Sequence, residues 1–66
     1  MTITLNGEAR KVAAGTTLGA LIAELGVRRE GIAVARNDEV VPRGAIETTP
    51  LAHGDTIEII VAVAGG

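Results

Sequence analysis

Leu18, Leu21, Ile22 and Leu25 stand at i, i+3, i+4 and i+7, an apolar stripe along one helical face of a 66-residue chain. Thr17 offers a hydroxyl N-cap at its start, and Gly26 stands where a C′ glycine is expected at its end. Those two signals leave room for about two turns. A helix this short does not hold itself together in water, so strands elsewhere in the chain must cover its apolar face. Gly19 inside it costs about 1 kcal/mol relative to alanine, which points to close approach of a neighbouring strand. The rest of the sequence therefore has to supply a sheet.

It does so from the first residue. Met1, Ile3 and Leu5 alternate with Thr2 and Thr4, the period of a half-buried strand, and Asn6-Gly7 follows as a two-residue hairpin signal. A second strand is expected from Glu8 to Ala13. The tight turn sets Leu5 opposite Glu8, which places Glu8, Arg10 and Val12 on Leu5's face. Either Arg10 snorkels at the sheet margin or a bulge resets the phase; both readings stay open.

After the helix, residues 27–31 read as a solvated connection, Ile32–Arg36 as a strand, and Asn37-Asp38 as a turn into Glu39-Val40-Val41. If Arg36 pairs with Glu39, Ala35 shares a face with Val40, and Val34 with Val41. Pro42 ends that strand because it has no N–H to donate. Arg43 to Pro50 shows no clear period and is expected to be an irregular crossing with one 3₁₀ turn, pinned inward by Ile46 and Leu51. His53-Gly54-Asp55 is a turn, with Asp55 bonding its own backbone. Thr56 to Val63 is the last strand: Ile57, Ile59 and Val61 face one way, Glu58, Ile60 and Ala62 the other. The order β-β-α-β-β-β is an α+β arrangement of the β-grasp kind, a mixed four- to five-stranded sheet on one short helix. It reads as one domain over residues 1–66, with a tail at 62–66.

Composition removes several functions. There is no cysteine, hence no disulfide, thiol nucleophile or thiolate metal site, and no aromatic residue for base stacking. The net charge is −2 and the six basic residues are scattered, unlike a nucleic-acid binder. No signal peptide is evident, and the apolar run from Ile59 to Ala64 is far shorter than the ~20 residues of a membrane helix. The expectation is a soluble cytoplasmic protein with a core worth about 3–5 kcal/mol. His53 is alone and is read as solvated; Glu8, Glu24, Glu30 and Glu58 form no acid–base pair, and Thr16 and Thr17 are caps without a base. No catalytic residue and no metal ligand is assigned.

What remains is the end of the sequence, Ala64-Gly65-Gly66. Lacking Cβ atoms, two glycines can thread a narrow channel and present a terminal carboxylate to another protein's active site. Together with the Asn6-Gly7 hairpin, Thr17-Leu18, Asn37, Val41-Pro42-Arg43 and Gly54-Asp55, this tail resembles the ThiS family of sulfur carriers in thiamine biosynthesis, and more distantly MoaD and ubiquitin. The absence of proline in Val61-Ala62-Val63-Ala64 and the presence of Val-Pro-Arg favour ThiS over MoaD. One departure is Gly44-Ala45-Ile46, where ThiS sequences often carry a bulky aromatic.

The resemblance implies a ubiquitin-like β-grasp with a flexible Gly-Gly tail, and a cosubstrate rather than an enzyme. The Gly66 carboxylate would be adenylated in a ThiF-like adenylyltransferase, which uses ATP; the carrier itself binds no cofactor. A persulfide sulfur donor would then displace AMP, leaving a thiocarboxylate for a ThiG-like thiazole synthase. Gly65 and Ala64 would be read by the partners' active sites. Ile60, with Ala35 and Val40 on its face, is either ordinary scattered surface or a docking patch, and Arg43 either anchors the crossing or touches a partner. A MoaD-like donor for molybdopterin and a ubiquitin-like modifier are the competing readings. Lys11 is the single lysine, which disfavours self-linked chains in the modifier case.

Overall fold

The computed structural model describes residues 1–28 and 30–61. Five strands and two short helices follow one another as β1 (Thr2–Leu5), β2 (Glu8–Lys11), α1 (Leu18–Leu25), β3 (Ile32–Arg36), β4 (Glu39–Val40), α2 (Arg43–Ile46) and β5 (Thr56–Val61). The strands form one mixed sheet in the order β2-β1-β5-β3-β4. The central strand, β5, runs parallel to β1 and antiparallel to β3, and both hairpins lie outside it. This is the β-grasp arrangement.

Local chemistry explains most element boundaries. Asn6 and Gly7 both take positive φ, 48° and 85°, the combination a two-residue hairpin turn demands. Thr17 Oγ1 accepts the Ala20 N–H at 3.1 Å, and Gly26 closes α1 at φ 71°, with its N–H reaching back to the helix carbonyls. Leu18, Leu21 and Ile22 of α1 are buried together with Ile3 of β1, Ile32 and Val34 of β3, and Ile57 and Ile59 of β5. Leu25, at the end of the stripe, packs against this core while partly exposed. The helix is therefore held by the sheet, as its length requires.

The open question in the first hairpin is settled by its register. Leu5 pairs with Glu8 and Ile3 with Arg10, and Met1 and Val12 exchange two bonds of 2.8 Å. The phase runs through without a bulge, so Arg10 sits on the core side at the sheet's outer margin. Its guanidinium leans 3.8 Å from Glu24 of α1. The snorkelling reading is the correct one. The regular strand ends at Lys11 rather than Ala13, although Val12 stays in phase and buried.

The crossing from β4 to β5 is more ordered than the sequence suggests. Pro42, at φ −57°, leads into the single α-turn α2, in place of the expected irregular path with a 3₁₀ turn. A proline at a helix start loses no bond, because the first N–H groups have no partner there anyway. Ile46 then buries itself, as does Leu51 beyond it. Between them, Thr49 O accepts the Leu18 N–H at 2.8 Å and the Leu51 N–H donates to Thr16 O at 2.9 Å. The crossing thereby closes over the start of α1. The predicted continuation of the last strand through Ala62 and Val63, like the flexible tail at 62–66, lies outside the described residues.

Candidate functional site

The strand that leads toward the tail occupies the middle of the sheet. On one side it is held by β3 over its full length, from Arg36↔Ile57 to Ile32↔Val61. On the other side β1 accompanies it only through Thr4↔Thr56 and Leu5↔Ile57, because the chain turns away at Asn6. Asn6 takes over there: its N–H donates to Ile57 O and its Oδ1 accepts the Ile59 N–H, both at 2.9 Å. Among the described residues, nothing from the β1 side bonds the strand beyond Ile59. The sequence marks Asn6 only as a turn residue; its second role depends on a partner 53 positions away.

The opposite end of the strand is anchored by Asp55, which is only 6% exposed. Its Oδ2 accepts the Ala52 N–H and the Arg36 Nε–H, each at 2.8 Å, and its Oδ1 accepts from Asn37 Nδ2 at 3.0 Å. Asn37, at φ 51°, in turn accepts the Thr56 N–H through its Oδ1. Burial pushes the Asp55 carboxyl up, but the Ala52 N–H, the Asn37 amide and the Arg36 guanidinium outweigh it, so the group titrates below the ordinary aspartate value. The expected local turn contact is therefore present, and joined to a wider junction between the β3–β4 turn and the start of β5. His53, read as solvated, is exposed but accepts the Thr2 N–H on Nδ1 at 3.0 Å.

The sheet face away from α1 carries the proposed surface residues. Ile60 is 61% exposed and Val40 77%. Ile60 pairs with Ala33, and Val40 pairs with Ala35, so the small side chains of β3 lie between them on the same face. Arg43 is exposed at the first position of α2, off the sheet. Val61, expected to anchor the inner face with Ile57 and Ile59, is 58% exposed and anchors little. Gly66, Gly65 and Ala64 lie outside the described residues.

A mixed sheet of this order, one supporting helix of eight residues and a sequence carrying Gly65-Gly66 can be compared with known proteins. The ThiS family model matches residues 3–66. The chain belongs to the ThiS family. The Escherichia coli sulfur carrier protein ThiS is 36% identical over 66 residues, which is all of both chains, and that of Thermus thermophilus is 37% identical over 62 residues, 94% of this chain and 95% of the other. The crystal structure of the thiamine biosynthesis protein ThiS from Geobacter metallireducens superposes with a TM-score of 0.86 at 32% identity, covering both chains completely. A thiazole synthase from Magnetococcus marinus also matches, 44% identical over all 66 residues; the chain spans 20% of that enzyme's length. The superposition bears out the ubiquitin-like β-grasp, with Ile46 buried beyond Val41-Pro42-Arg43. The same fold is thus reached without any aromatic residue in the chain.

Proposed function

We propose that this ThiS-family chain is a sulfur carrier for thiazole formation in thiamine biosynthesis, and that Gly66 carries the sulfur. The end-to-end match to the Escherichia coli carrier, through Gly66, is the observation that carries this reading. The carboxylate of Gly66 attacks the α-phosphate of ATP in a ThiF-like adenylyltransferase; the α–β phosphoanhydride bond breaks and pyrophosphate leaves. The acyl adenylate is a good acyl donor, as the free carboxylate is not. A persulfide sulfur attacks its carbonyl carbon and expels AMP, and cleavage of the resulting acyl disulfide by a thiol releases the thiocarboxylate. A ThiG-like thiazole synthase takes that sulfur. Its role as acceptor is supported by the match between this chain and part of the Magnetococcus marinus thiazole synthase.

The carrier supplies no catalytic group to these steps. Gly65 and Ala64 are short enough to pass into both partners' active sites, and a chain without cysteine offers no thiol to compete for the sulfur. The Ile60–Val40 face, with Arg43, is the surface proposed to dock on the adenylyltransferase and guide the tail. The test is to delete Gly66, or to add one residue after it, and measure pyrophosphate release with ATP and a ThiF-like enzyme. Both changes should abolish release while the fold persists; adenylation of the extended protein contradicts the proposal.

A further inference from the structure

We infer that Asn6 is a positioning residue for the tail: its side-chain bond to the Ile59 N–H sets the last point at which β5 is held from both sides. The inference rests on the carrier reading above. β1 ends at Leu5, and without a further acceptor the Ile59 N–H would face the gap left by the departing strand. Asn6 fills that gap twice, from its backbone N–H to Ile57 O and from its Oδ1 to Ile59 N–H. It can do so because its φ of 48° turns the backbone away while the side chain stays beside β5. Asparagine suits the place: it tolerates the left-handed region and carries an acceptor on a short stem.

Ile59 is thus the last residue of β5 held from both sides. Ile60 and Val61 are held by β3 alone. A partner enzyme that closes over residues 64–66 receives them from a fixed origin, so fewer tail conformations have to be excluded on binding. Loosening the clamp should weaken productive docking and leave the chemistry at the carboxylate untouched.

Two measurements test this. In the unaltered protein, the Ile59 amide should exchange with deuterium far more slowly than that of Val61. Asn6→Gly keeps a residue that accepts positive φ but removes the acceptor. It should speed exchange at Ile59 while Ile22 and Val34 stay protected, and raise the KM for the carrier in adenylation about three- to ten-fold with kcat unchanged. Asn6→Asp, which keeps an acceptor on the same stem, should restore both. Equal exchange at Ile59 and Val61 in the unaltered protein overturns the clamp, and faster Ile59 exchange with an unchanged KM overturns its role in presenting the tail. If the unaltered protein is not adenylated at all, the carrier reading falls and the positioning role with it, whereas the exchange result still reports the clamp.

Discussion

The Arg36 Nε–H donates to Asp55 Oδ2 at 2.8 Å, joining the last residue of β3 to the residue that precedes β5. The carboxylate is buried, while the arginine side chain keeps about a third of its surface in solvent (33% exposed). Asp55 also takes the Ala52 N–H and the Asn37 amide, so one side chain fixes the turn before β5 and the turn after β3 together. Asp55→Ala removes all three contacts and strands their donors. It should cost about 2 kcal/mol, with Arg36 discounted for its exposure. Urea unfolding should show a lower midpoint at an unchanged m-value.

The same junction predicts a pH dependence. The native Asp55 carboxyl titrates below its unfolded value, which lies near 3.8. Its stabilising effect is therefore complete above that value and is lost as pH falls through the lower native one. Unfolding midpoints measured from neutral pH downward should decline in the acid range, and Asp55→Asn should make that decline shallower. Parallel acid profiles for the two proteins would remove Asp55 from the explanation.

Leu21 is fully buried at the contact between α1 and the sheet. Leu21→Ala should cost about 2–5 kcal/mol, comparable to the whole stability of a domain this size. Circular dichroism at 25 °C should show a largely unfolded chain. A cooperative native transition shifted by less than about 1 kcal/mol would mean that the helix contributes far less than its burial indicates.

Ile60 projects from the opposite face, 61% exposed. Ile60→Asp should change stability by less than about 1 kcal/mol, since little buried surface is lost. If this face docks on the adenylyltransferase, calorimetric titration should show at least about ten-fold weaker binding, as expected for a charge placed within an apolar contact. Unchanged affinity removes the Ile60–Val40 face from the docking argument.

How much of this was legible in the sequence follows from how far each signal reaches. The caps of α1 are local, so Thr17 and Gly26 could be placed from spacing alone, and the Asn6-Gly7 turn fixed Leu5 opposite Glu8. The Arg36–Glu39 pairing followed from a two-residue turn in the same way. Asn6 and Asp55 carry second roles that no window of neighbours reveals, because their partners are 53 and 19 positions distant. The four residues of α2 are too few to show a period. Strand alternation assigned Val61 to the inner face, but alternation carries no information about whether anything covers that end of the strand. The tail was legible only as chemistry: Gly65 and Gly66 carry no side chain from which a pattern could be read, and the role proposed for them rests on the terminal carboxylate.

The most direct test of the central claim is the intact mass of the protein after incubation with ATP, a ThiF-like adenylyltransferase, a persulfide donor and a thiol. The account predicts a gain equal to the replacement of one oxygen by sulfur, localised to Gly66 and absent when Gly66 is deleted. An unchanged mass, or the same gain in the deletion variant, would contradict it.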